Sequence, residues 1–253
     1  MKSNGTYVYC VVAAARRPAV TRARGVAGAV RLIEQGRAAH LKKWLVVSDV
    51  PLERYGEAAI NARLSDLDWV SRAAVAHEAV VESFSAAAAV VPMKLFTIFN
   101  DDARATANFE AQEVVVNAAI KRVRDRIELG VRVTLDGARP QKRPSPRAST
   151  GAAYLAGKKA QRDRAVELAR NAREVVADLY DELASVASDA VRRPATELPV
   201  KGGPLLLDAA FLVLRTATHR FRKVVDRRAM ELEPDGYRIT LTGPWPPYSF
   251  VRD

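Results

Sequence analysis

The stretch LTGPWPPYSFV, residues 241–251, limits the fold more than any other part of the chain. Its prolines, Pro244, Pro246 and Pro247, remove backbone donors and bar a helix. Residues that precede proline are driven into extended conformations, and a Pro-Pro pair favours a polyproline II path. Trp245, Tyr248 and Phe250 are interleaved with them, and burying each aromatic takes on the order of 150–250 Å² out of water. Trp245-Pro246-Pro247 is therefore extended, and the aromatics need a cover. The expectation is a tail docked through Trp245, Tyr248 and Phe250 in a groove of its own fold. A tail held ready for a partner is the alternative.

Upstream, hydrophobic periodicity divides the 253 residues into two α+β halves. Residues 6–15, with Tyr7-Val-Tyr-Cys-Val-Val12, read as a buried strand. Residues 26–34 and 44–50 read as two further strands. Residues 66–89 predict a helix with an apolar stripe of Leu67, Val70, Ala74, His77, Val81, Phe84 and Ala88. Pro92 interrupts that period, and residues 90–96 read as a strand. Asn100, Asp101 and Asp102 offer capping oxygens to a second helix from about 103 to 129, with Phe109, Val116, Ile120, Val123 and Ile127 on one face. Gly130 stands where a left-handed C-cap belongs, and residues 131–135 alternate as a strand. The order is close to a ferredoxin-like α+β layer with extra strands.

Residues 138–150 carry three prolines, three arginines and a lysine, and read as a basic linker or loop. Beyond them come a long helix over 152–189, a strand over 205–214 and a helix over 218–232, with Phe221, Val224, Val225 and Leu232 on its buried side. A last strand covers 237–241. The predicted organisation is an N-terminal ferredoxin-like α+β domain (1–137), the linker (138–150), and a C-terminal α+β domain with one long helix and the docked tail (151–253).

Candidate chemistry is sparse. His40, His77 and His219 are far apart in sequence, so no clustered metal ligands are expected. His77 falls on the apolar stripe, where a half-buried histidine bonded by its neighbours is the expectation; His77 with Glu78 is where a catalytic site would be sought. Cys10 sits inside the first strand and reads as a core cysteine. Gly25 and Gly28 lack the third glycine of a dinucleotide fingerprint and the lysine of a phosphate loop. In Lys201-Gly-Gly-Pro204 the proline removes an amide that a phosphate would need. No catalytic, cofactor or metal residue is assigned, and nothing argues for an enzyme.

The formal charge is +11. Residues 139–173 hold ten Lys or Arg against Asp163 and Glu167, and Arg215, Arg220, Arg222, Lys223, Arg227 and Arg228 form a second cluster. Arg220, Arg222, Arg227 and Arg228 are the candidate contacts for an acidic protein partner. A basic nucleic-acid-binding module is the alternative on charge alone. It lacks aromatic interleaving and any recognition-helix or RNA-binding signature, so no nucleic acid is expected. No window reaches the ~18 apolar residues of a membrane span, so no membrane partner is expected. The single cysteine and the lack of an apolar leader after Lys2 fit a cytoplasmic protein.

The closing TGPWPPYSFV resembles the final motif of the gas vesicle protein F/L family (GvpF/GvpL). Other stretches agree in order along nearly the whole chain. Tyr7-Val-Tyr-Cys-Val-Val12 resembles the family's opening strand. His77-Glu78 with Val80, followed by VVPMKLFTIF (90–99), resembles its "HE.V … VLP.RFGT.F" block. Glu128-Leu-Gly-Val-Arg-Val133 resembles "EWGVRV", Tyr154-Leu155 after Gly151 resembles "G..YL", and LLDAAFLV (206–213) resembles "N.AYLV". Leu129 replaces a tryptophan, the usual glycine after Phe96 is absent, and Asp208 and Phe211 replace an asparagine and a tyrosine; all read as packing substitutions. The resemblance implies a two-domain α+β accessory or minor structural protein of gas vesicle assembly, without catalysis or cofactor. Its implied partners are the major shell protein GvpA and other accessory gas vesicle proteins.

Overall fold

The computed structural model describes residues 4–20, 23–38, 40–136, 151–194 and 203–251, without the side chains of 151–154, 164 and 165. The chain forms two compact units, Met1–Glu128 with Pro244–Asp253, and Leu129–Gly243. The predicted linker, 138–150, and Lys201 and Gly202 lie outside the described residues. The sequence reading assigned 244–253 to the C-terminal domain, whereas their contacts group them with the first unit.

In the first unit, β1 (Asn4–Ala14), β2 (Arg31–Ala38) and β3 (Leu41–Pro51) precede three helices, α1 (Leu52–Tyr55), α2 (Glu57–Asn61) and α3 (Leu67–Ser83). Then follow β4 (Ala89–Pro92), β5 (Ile98–Phe99), α4 (Asp102–Ala111) and α5 (Glu113–Val123). The sheet order is β2-β3-β1-β4, antiparallel, with β5 beside β1. All of Gly5–Ala13 is buried because both faces of β1 are covered. Tyr7, Tyr9, Cys10 and Val12 pack with Val80 and Val81 of α3 and with Phe84 just beyond its end. Strict alternation would put Tyr9 and Cys10 on opposite faces. A register shift between Val8 and Cys10 lets both join this layer. On the other face Val11 and Leu45 lie with Phe109 and Val116 of α4 and α5.

Several expectations change here. The strand expected from residue 26 begins at Arg31. The helix over 66–89 ends at Ser83, with Asp66 as N-cap accepting from the Trp69 N–H at 3.0 Å. Its buried face is Trp69, Ala73, His77, Val80 and Val81, while Leu67 is 78% exposed. The 103–129 helix is two helices and a strand: α4 breaks at Gln112, and α5 stops at Val123 before β6 (Arg126–Leu135). No glycine or proline in 103–129 announced the break. The left-handed residue is Asp125 (φ 56°), whose N–H donates to the Ala88 carbonyl at 2.7 Å, and Gly130 lies inside β6. Asp125 is one of the few non-glycine types tolerated there.

Counted from Pro92, the glycine of the motif "VLP.RFGT" falls on Phe96 itself and not after it as the sequence reading had it, and Phe96 is the other left-handed non-glycine residue (φ 64°). For a bulky side chain this costs on the order of 1–3 kcal/mol. A stack on Trp69, 4.9 Å between centroids and 10° between planes, and the Phe96 N–H bond to the Tyr7 hydroxyl at 3.2 Å offset it.

The second unit has the sheet order β7-β8-β6-β9, from β7 (Asp189–Arg192), β8 (Leu205–Leu214), β6 and β9 (Tyr237–Trp245). Two helices accompany it, α6 (Gly151–Val186) and α7 (Thr218–Leu232). The expected strand at 205–214 and helix at 218–232 are both present, while β9 runs through Gly243 and Pro244 instead of ending there. Ala172, Val176, Leu179 and Leu183 of α6 are buried, and Tyr180 and Phe221 meet Phe211 of β8 at 5.6 and 5.3 Å. Along the first half of α6 the described side chains from Leu155 to Asn171 are all exposed. Leu129 and Phe211 are fully buried, as packing substitutions should be. Asp208 is different: it is 8% exposed and lies between Arg132 (3.1 Å) and Arg193 (3.2 Å), so its charge is answered by two guanidinium groups.

Candidate functional site

The closing motif and the start of β6 build one site in the first unit. Pro246 and Pro247 are buried, and Tyr248–Phe250 form a single 3₁₀ turn. Glu128, 3% exposed, holds that turn: the Ser249 N–H donates to its Oε2 at 2.8 Å and the Ser249 hydroxyl to its Oε1 at 2.9 Å. Both carboxylate oxygens are thus engaged by one residue, and bonds to a charged acceptor are roughly twice as strong as neutral ones. Phe250 is 2% exposed, with the Arg122 guanidinium 5.9 Å over its ring. Tyr248 is half-buried and Trp245 is 43% exposed, so the three tail aromatics do not share one environment. Neither Glu128 nor Ser249 was singled out from sequence. The Glu128-Leu-Gly-Val motif was the available signal, but the helical reading of 103–129 hid it.

A cleft of about 370 Å³ adjoins the turn, lined by His77, Glu78, Met93, Lys94, Tyr248 and Val251. Successive helix positions point in different directions, yet His77 and Glu78 reach the same cleft from adjoining sides of α3. His77 is 3% exposed, with Nδ1 2.8 Å from the Tyr7 hydroxyl. Tyr7, Tyr9 and His77 form one aromatic group, with His77 5.7 and 5.5 Å from the two tyrosines. Burial pushes the His77 imidazole down to about 4, against a weaker opposing influence of the Met93 backbone. Burial raises Glu78, Glu82 and Glu128 add to the rise, and the nearby Tyr248 hydroxyl opposes it. Burial, then Glu78, raises the Tyr248 hydroxyl. The Cys10 thiol is fully buried and raised by the same cause, with Glu78 adding to it.

The four arginines singled out from sequence lie on α7, in the second unit. Arg227 pairs with Glu182 and, at 3.2 Å, with Glu231. Arg228 reaches Glu182 at 3.3 Å and Glu231 at 3.0 Å. Arg222 donates to the Gly243 carbonyl at 3.4 Å. Arg220 is exposed, with no partner among the described residues. The α7 arginines therefore do not form one uncompensated patch. His40 contacts Arg124 at 3.0 Å, and His219 is exposed. Among the described residues no three His, Cys, Asp or Glu are placed to hold a metal ion. No described helix is long and apolar enough to cross a membrane.

Comparison with known proteins agrees with this architecture. The family model described as gas vesicle synthesis protein GvpL/GvpF matches residues 5–252. A gas vesicle protein L from Streptomyces sp. (strain CB03234) is 36% identical over 214 residues, covering 81% of this chain and 79% of that protein. The crystal structure of GvpF from Anabaena sp. PCC7120 superposes with a TM-score of 0.68 at 15% identity, over 99% of this chain and 97% of its own. GvpF from Microcystis aeruginosa gives 0.67 at 14% identity, over 98% and 99%.

Proposed function

Because the chain belongs to the gas vesicle GvpL/GvpF family, with the model matching residues 5–252, we propose that it is a non-enzymatic accessory or minor structural protein of gas vesicle assembly. It binds the major shell protein GvpA and other accessory gas vesicle proteins, in the cytoplasm or on the vesicle. The whole-length family match carries this reading. The net charge of +11 favours partners with acidic segments.

The structure redirects the electrostatic part of this reading. Reversing all four α7 arginines would set new acids against Glu182 and Glu231, so lost capture would not separate contact from damage. Arg220 is the informative position, since its charge is exposed and uncompensated. The intact chain, used as bait with co-expressed shell protein, should retain it, and Arg220→Glu should weaken that retention without lowering the melting temperature. Unchanged capture by the variant removes Arg220 from the contact. Failure of the intact chain to capture the shell protein sinks direct shell binding and moves the test to the other accessory proteins. Excess absorbance at 260 nm in the purified protein, released by salt, would favour the nucleic-acid alternative.

A further inference from the structure

The sheet of the second unit has one face turned to its helices and one partly open. Phe211 of β8 meets Tyr180 of α6 and Phe221 of α7, so Asp208, three residues earlier, stands on the opposite face. There Gly130 of β6 carries no side chain, and a Cβ at that point would lie 2.5 Å from the Thr242 hydroxyl and 3.0 Å from a terminal nitrogen of Arg193. Arg132, two residues after Gly130, shares the face and pairs with Asp208. Alternation along β9 places Thr240 and Arg238, both exposed, on the side of Thr242.

Three guanidinium groups therefore stand against one carboxylate. Asp208 is 8% exposed, with Oδ2 3.1 Å from Arg132 Nε and Oδ1 3.2 Å from Arg193 Nε. Both contacts use the inner nitrogen of the guanidinium. Arg193 donates from one terminal nitrogen to the Ala209 carbonyl at 3.3 Å. Neither terminal nitrogen of Arg132 is bonded among the described residues, and its side chain is 52% exposed. Arg238 has no partner among the described residues.

One cation is enough to pair a buried acid; a second leaves positive charge at the surface, aimed by the acid beneath it. The terminal nitrogens of arginine form a planar fork that receives a carboxylate through two parallel bonds. A fork already held at Nε loses less freedom when it binds. The resembled motif has asparagine at position 208, and the acid gives both arginines a charged anchor that an amide lacks. Gly130, Arg132, Arg238, Thr240 and Thr242 offer no ring on which a base could stack, which favours an acidic polypeptide over a nucleic acid.

We infer that this sheet face is a docking surface for an acidic segment of a partner polypeptide, with a carboxylate received by the terminal nitrogens of Arg132. Arg193 and Arg238 add positive charge around it, and Asp208 is the positioning residue. The inference rests on the reading that the chain acts through protein contacts.

The test titrates the full chain with hexaglutamate, capped at both ends, and with hexauridylate. Calorimetry reads affinity, and the Arg132 Nε–H signal reads the site by nitrogen-15 NMR. Hexaglutamate should shift that signal saturably. Arg132→Lys keeps the charge but not the fork, and should weaken binding about tenfold, the scale of a bond between charged groups. Arg72→Gln, which removes one exposed charge from α3, should change it by less than about twofold. Asp208→Asn raises the net charge, yet should weaken binding about threefold through the lost preorganisation and broaden the Arg132 signal. Should Asp208→Asn fail to fold, Arg132→Lys against Arg72→Gln still decides.

Equal losses in those two variants, tighter binding by Asp208→Asn, or no saturable shift at Arg132 would each overturn the inference. Tighter binding of hexauridylate than of hexaglutamate would do the same and assign the face to nucleic acid. Hexaglutamate binding as expected, with no shell protein captured by the intact chain, would sink the shell reading alone. Captured shell protein without Arg132-dependent peptide binding would sink this surface alone.

Discussion

The closing tail and the arginine face of α7 were the two partner-contact candidates in the sequence, and the fold treats them oppositely. The tail is anchored from within: Phe250 is buried, Pro246 and Pro247 are covered, and Ser249 is held by the buried Glu128. The arginine face is balanced at the surface, where Glu182 and Glu231 neutralise Arg227 and Arg228. The first arrangement rests on desolvation and packing, which salt barely touches. The second rests on exposed ion pairs, which are weak and screened. A cluster of aromatics and a cluster of charges are therefore not equal evidence of a waiting surface. Each must first be checked for what the rest of the chain already does with it.

Substitutions can break this contrast. The largest effect is expected from Phe250→Ala, about 3–5 kcal/mol for a buried aromatic, against less than about 1 kcal/mol for the partly exposed Trp245→Ala. Urea unfolding of both variants measures the difference, and equal losses would mean that the tail is held along its whole length.

Acid stability should sharpen the picture of the layer under the tail. The folded pKa of His77 lies below the unfolded value, so protonation favours the unfolded chain. Its penalty is absent above about pH 6.5, grows as pH falls, and is complete below about 4, at roughly 3 kcal/mol. Glu78 works the other way: its raised pKa is a penalty at high pH that is relieved on acidification. His77→Gln should therefore flatten the loss of stability between pH 6.5 and pH 4 relative to the parent. An unchanged acid limb would show that His77 does not control it.

Removing the carboxylate with Glu128→Ala should cost about 2 kcal/mol, the scale for hydrogen bonds to a charged group. Ser249→Ala should cost less, since its backbone N–H still reaches Glu128. On the arginine face, Glu182→Ala should cost about 1 kcal/mol or less at low salt and become undetectable in high salt. A salt-independent loss there would place the network among the structural supports and remove the distinction between the two regions.

Strands and helices were legible where periodicity and breakers agreed. β8 and α7 stand as read because Gly203-Pro204 and Pro234-Asp-Gly236 punctuate them. The 103–129 segment was misread because its interruptions, at Gln112 and Asp125, carry no glycine or proline. Tertiary contacts impose them, among them the Asp125 N–H bond to Ala88. The sequence marks the His77–Glu78 pair as the place to seek a site but shows no third group beside it. Only the fold shows Tyr248, from the far end of the chain, joining them in one cleft.

By itself the sequence determined the α+β character, the buried first strand, the family, and the extended backbone of the closing run as far as Trp245, but not the 3₁₀ turn of Tyr248–Phe250. These follow from local rules of side-chain period, proline stereochemistry and motif order. The tertiary structure decided which tail aromatic is anchored, which arginines are free, and which carboxylate grips the last turn. Those outcomes depend on groups brought together across more than a hundred residues, as Glu128 and Ser249 are, and no local pattern encodes such a meeting.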